Sequence, residues 1–192
     1  MRSVTYLIVA IGLVLGTGSA WSEQKVGATT DGLAVKQATD LRIQAVMLAR
    51  SGDFITADEM FSHSIELALS VDDPRIRDWT LLFIATAQAR AGSVYAGIET
   101  ANSIETSAYQ HWALGTIAPI QAASGDLTGA LETVDTIPVG YTRARAYGGI
   151  AVQQAHLGDS MQAGMIADII SAPDVKFHAY VAITRAMAGP QQ

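Results

Sequence analysis

The residues able to do chemistry are few and scattered along the chain. Four histidines are present, His63, His111, His156 and His178. No two stand at the i, i+4 spacing that lets one helix face offer two imidazoles to a metal, and no His-Glu-x-x-His occurs. A metal site would therefore need ligands converging from separate segments. Read plainly, these histidines are exposed or partly buried side chains. Asp72-Asp73 stands before Pro74 and reads as a connection that caps a helix. A paired-carboxylate acid–base site would need a second acidic group folded opposite, and the pattern offers none. Gly148-Gly149 follows no strand and fits neither the Walker pattern nor G-x-G-x-x-G, so it is read as a close helix contact. No G-x-S-x-G nucleophile turn occurs. With no Cys in the chain, thiolate catalysis, disulfides and Cys-based zinc sites are excluded. What is left is non-covalent recognition: no enzyme activity, no metal and no cofactor are expected. Arg75, Arg77, Arg143 and Arg145 stand near expected helix starts, where the macrodipole gives Arg no advantage. Either they serve a ligand, or they pair with exposed acids such as Asp72, Asp73, Asp78 and Asp135, pairs worth little to stability.

Composition narrows the class. The chain of 192 residues is long enough for one domain with a core, and with 49% hydrophobic and 16% charged residues it is too apolar to be disordered. A formal net charge of −6 disfavours nucleic acid as a partner. At the N-terminus Arg2 precedes an apolar run, Tyr6 to Leu15, and then Gly16-Thr17-Gly18-Ser19-Ala20. This is the layout of a secretory signal peptide over 1–20, with cleavage after Ala20 or Ser22. The run is short for a bilayer span; a retained membrane anchor is the other reading. No membrane span is expected after cleavage, and a periplasmic or secreted location follows. Residues 21–32, polar and lacking periodicity, are expected as a flexible mature N-terminus.

The elements that must position any binding residue come from a recurring pattern over 33–192. Ile84–Gly92 recurs loosely as Ile117–Gly125 and Ile150–Gly158, with weaker versions at Gln44–Gly52 and Val181–Gly189. The glycines Gly52, Gly92, Gly125, Gly158 and Gly189 are separated by 40, 33, 33 and 31 residues. Each is expected to end a helix in the left-handed conformation. Asp53, Ser93, Asp126 and Asp159 follow and can cap the next helix. Seven residues before each of the first four glycines stands an alanine (Ala45, Ala85, Ala118, Ala151). Five residues after them stand Ala57, Gly97, Ala130 and Ala163, so antiparallel helices can approach closely. Ser64, Ile104, Ile137 and Ile170 mark the buried face of the second helix. The spacing predicts helices over 33–50, 53–70, 75–91, 94–103, 107–123, 126–136, 141–157, 159–171 and 174–188. The first unit is longer by seven residues, two helical turns, which are placed in helix 53–70. Pro119 should kink the helix that contains it. Gln88, Gln121 and Gln154 recur at one position, either as amides for a ligand backbone or as structural bonds to neighbours.

This pattern resembles the tetratricopeptide repeat family over residues 33–189. The small residues before the turn, the Gly-Asp turns Gly52-Asp53, Gly125-Asp126 and Gly158-Asp159, and the alanine five residues later carry the likeness. The family's bulky aromatic four residues before the turn glycine is Leu48, Gln88, Gln121 and Gln154 here. The resemblance implies an all-α fold: a right-handed α-solenoid of about four units of stacked antiparallel helix hairpins with a concave face. It also implies a protein or peptide partner held in that groove. In the family the position thirteen residues before the turn glycine points into the groove; here that is Trp79, Trp112, Arg145 and Lys176. Two residues before the glycine stand Arg90 and His156 on the same lining. These groups suit an acidic or aromatic-containing peptide, Trp and Arg being common interface anchors and Arg a bidentate partner for carboxylate. Alternatively, Trp79 and Trp112 pack between consecutive hairpins as core. The function expected is an exported, non-catalytic binding scaffold; the alternative is a helical accessory or regulatory subunit of an envelope enzyme complex.

Overall fold

A computed structural model describes the backbone of residues 19–188 and the side chains of 30–188. Among the described residues the fold is all-α, with no strand. In chain order the helices are α1 (Ser19–Ser51), α2 (Phe54–Leu69), α3 (Pro74–Arg90), α4 (Val94–Asn102), α5 (Ser107–Ala123), α6 (Leu127–Asp135), α7 (Tyr141–His156), α8 (Ser160–Asp168) and α9 (Pro173–Ala188). Residues 1–18 of the expected signal segment, and Gly189, lie outside the described residues.

Local chemistry sets the boundaries. Gly52, Gly92, Gly125 and Gly158 have φ of 90°, 101°, 98° and 88°. In each case the glycine N–H bonds the carbonyl three residues back and the following N–H bonds the carbonyl five back, as in Gly52 N to Ala49 O and Asp53 N to Leu48 O. This paired bonding satisfies the last carbonyls of the helix, and the left-handed φ it needs costs glycine little. The next residue then opens the following helix: Asp53, Asp126 and Asp159 accept hydrogen bonds from the N–H groups of Thr56, Gly129 and Gln162. Ser93 departs from this role, its hydroxyl donating to Asp58 at 3.1 Å. Before α3, Asp73 accepts from Arg75 N at 2.9 Å while Pro74 supplies a preset φ at the first helical position.

Helices joined by a glycine turn pack on each other (α1 on α2, α3 on α4, α5 on α6, α7 on α8), and α1, α3, α5, α7 and α9 pack in succession. Close approach rests on small residues. Ala45, Ala85, Ala118 and Ala151 are fully buried, as are Ala130 and Ala163. A β-carbon on Gly97 would stand 2.6 Å from the Ala85 carbonyl oxygen. Gly148 and Gly149 look to different neighbours: added β-carbons would stand 3.0 Å from Val175 of α9 and 2.6 Å from Pro119 of α5. The proline that costs α5 a hydrogen bond is thus seated against a bare stretch of α7. Gln88 and Gln121 take the structural role: each accepts from a threonine on the paired helix, Thr100 at 2.7 Å and Thr133 at 2.9 Å. In the third pair Ile166 replaces that threonine.

The added length of the first pair lies in α2, which has 16 residues against 9 in each of α4, α6 and α8. Its partner grows with it. The backbone of 21–32, expected as a flexible lead-in, is the N-terminal part of α1. Near the end of that stretch the Asp31 carboxylate accepts from the N–H groups of Asp72 (3.1 Å) and Asp73 (3.4 Å) beyond the end of α2. Asp78 does the same for the next connection, accepting from Thr106 N at 2.8 Å. Asp78 is fully buried. Burial pushes its carboxyl upward, but hydrogen bonds from Thr106 and Arg77 outweigh it and leave the pKa below the ordinary aspartate value.

Candidate functional site

The buried isoleucines Ile84, Ile117, Ile150 and Ile183 stand 33 residues apart on α3, α5, α7 and α9. Five residues before each stand Trp79, Trp112, Arg145 and His178. Five residues turn a helix by about 140°, so these side chains sit well away from the buried seam. Trp79 is 39% exposed and Trp112 50%. The same frame places His178, not Lys176, level with Arg145; Lys176 instead donates to the Asp168 carbonyl at 2.6 Å, at the end of α8.

Trp79 is the centre of an aromatic cluster. Its ring meets Phe83 at 4.9 Å, Tyr109 at 5.5 Å and Trp112 at 5.5 Å, all edge-to-face. Arg42 of α1 lies over Phe83, 5.9 Å from the ring centroid. Arg42 and Phe83 line a depression of about 260 Å³ with Trp79, Val35 and Thr39. On the other side of the cluster, Trp112 shares a depression of about 350 Å³ with Tyr141, Thr142, Arg145, Thr116 and Pro119. No Asp or Glu lines either one.

The four arginines near helix starts divide. Arg75 pairs with Asp73 at 3.7 Å, Arg77 with Asp78 at 3.4 Å and Glu105 at 2.6 Å, and Arg143 with Asp135. Arg145 makes no ion pair among the described residues, so its guanidinium stands free beside Trp112. Trp79, Trp112 and Arg145 therefore come together along one face. Arg90 and His156 do not line either depression; each is eleven residues further along its helix, about 16 Å, though on the same side. Sequence reasoning missed Arg42, Phe83, Tyr109 and Tyr141. Phe83 was within reach, standing four residues after Trp79 and so on the same helix side.

This face offers hydrogen-bond donors and aromatic edges: a free guanidinium, indole N–H groups and the Tyr141 hydroxyl. No group of three or more His, Cys, Asp or Glu among the described residues is placed to hold a metal ion. Each buried side-chain nitrogen and oxygen among the described residues has a hydrogen-bond partner. No helix among them is long and apolar enough to cross a membrane. Compared with known proteins, the chain matches no family model, no curated protein and no solved structure.

Proposed function

We propose that the chain is an exported, non-catalytic scaffold that binds a protein or peptide, built as a tetratricopeptide-like α-solenoid. Two features support the architecture: each glycine-turn pair packs internally, and α1, α3, α5, α7 and α9 pack in succession. The face carrying Trp79, Trp112 and Arg145 is then the concave one. The observation that carries the functional reading is the exposed Trp79–Trp112 contact beside an unpaired Arg145, in a setting free of acids. Within a chain of net charge −6, that setting favours a ligand segment with an apolar or aromatic residue next to a carboxylate. Export rests on Arg2, the Tyr6–Leu15 run and the small residues before Ala20; intact mass of the protein recovered from its source, lacking Met1 and Arg2, is the expected result.

Capture from an envelope fraction tests the binding reading. W112A and R145A should each lose the captured partner by about tenfold or more in affinity, as removal of an interface anchor does. Their thermal midpoints should stay near that of the parent chain. Unchanged capture by both variants, with both folded, would remove this face as the binding surface.

A further inference from the structure

The two outer faces of the helix array differ in chemistry. On α3, α5, α7 and α9 the residues facing the preceding helix are Thr80/Ile84, Ala113/Ile117, Ala146/Ile150 and Ala179/Ile183, all buried. The same positions on α1, counted from Gly52, are Asp40 and Gln44, and both are exposed. With Gln37, His63, Glu66 and Ser70 they line an open depression of about 610 Å³. Leu41 and Leu67 line it too, so that end mixes apolar side chains with the charged and amide groups of Asp40, Gln44 and Glu66.

The face of α9 has a different make-up. α9 packs on α7 and α8, and no later helix among the described residues covers it. Counting back 33 residues, Met187 stands where Gln154 is buried, Tyr180 where Tyr147 is half-buried, and Phe177 where Ala144 is buried. Yet Phe177 and Met187 are each 66% exposed and Tyr180 38%. Asp174 and Arg185 flank this apolar surface near opposite ends of the helix. They are eleven residues apart, three turns, and so lie on one side. Neither side chain has an ion-pair partner among the described residues.

We propose that this face of α9 pairs with α9 of a second copy of the chain, antiparallel about a two-fold axis. Head-to-tail stacking would bury Asp40, Gln44 and Glu66 against apolar side chains, which is costly. The antiparallel register that sets each Asp174 against the other copy's Arg185 brings the two Tyr180 side chains level and the two Phe177 side chains within about 7.5 Å of each other along the axis, so these apolar groups pack across the two-fold. A helix of 16 residues is about 24 Å long. One such pair falls short of the roughly 800 Å² per partner of a standard interface, so the dimer is reversible.

The chain has no Cys, so a single introduced thiol reports position. V181C in the full chain, treated with a short bismaleimide, should give a covalent dimer, and E59C on α2 should not. Adding F177E should cut the V181C yield by about tenfold or more. R185E should lower it, and the double swap D174R/R185E should restore it. Absence of cross-linking at V181C, equal yield at E59C, insensitivity to F177E, or no restoration by the double swap each overturns the proposal.

Discussion

Trp79 and Trp112 share one register position but not one environment. Trp79 touches three rings, and Trp112 touches only Trp79 among them. Each edge-to-face contact adds about 0.5–1.5 kcal/mol beyond burial. With two more such contacts, W79A should cost more unfolding free energy than W112A by about 1–3 kcal/mol, read from chemical denaturation. Equal losses would contradict the cluster's arrangement. Trp79 anchors a packed aromatic cluster while keeping an exposed edge; Trp112 leaves half its surface beside a free Arg145. The sequence places Phe83 beside Trp79 on α3, but Tyr109 reaches Trp79 from α5 and Arg42 reaches Phe83 from α1, and only packing brings these together.

At the scale of elements, glycine content is read against what each Cβ would meet. Gly149 faces Pro119, where an added methyl would stand 2.6 Å from the ring. Gly164, in α8, has nothing within 4 Å. G149A should destabilise by about 1–3 kcal/mol through overpacking. G164A should stabilise by about 0.5–1 kcal/mol, because alanine loses less entropy in a helix interior. A130L, at a fully buried position of α6, should cost about 1–3 kcal/mol, while A123L, on an exposed position of α5, should cost little. Thermal or denaturant midpoints of the four variants check the set. Helix boundaries were legible where Gly, Asp and Pro punctuate: α3 begins at Pro74 and α5 spans Ser107–Ala123, within a residue of the pattern. The start of α1 was not. Residues 21–32 carry Gly27 and Gly32 and no periodicity, and the bonds from Asp31 to Asp72 and Asp73 are long-range. A sequence argument was still available: if α2 is two turns longer, its partner must lengthen to cover it.

Over the whole molecule, stability should narrow at both ends of the pH scale. Tyr147 donates to Asp135 at 2.5 Å and Tyr180 to Asp168 at 2.6 Å, tying α7 to α6 and α9 to α8. Burial and then the bond to Asp135 raise the Tyr147 pKa; the bond to Asp168, then burial, raises that of Tyr180. A raised folded-state pKa adds stability that is fully present below the unfolded value, about 10, and is lost as pH rises through the folded value. Asp78 works in the opposite sense: its pKa is lowered, so its contribution is present above about pH 4 and lost as pH falls. Y147F should flatten the alkaline loss, and D78N should flatten the acid loss, in unfolding curves taken across pH. The four turn glycines carry one more consequence. Each sits at φ near +90° with nothing within 4 Å of where a β-carbon would be. The only objection to a side chain there is handedness, not space. A mirror-image D-alanine, introduced by chemical ligation, finds that backbone natural. It should stabilise each turn by about 0.4–1 kcal/mol through a stiffer unfolded chain. The gains at Gly52, Gly92, Gly125 and Gly158 should add, while ordinary L-alanine at the same sites should subtract.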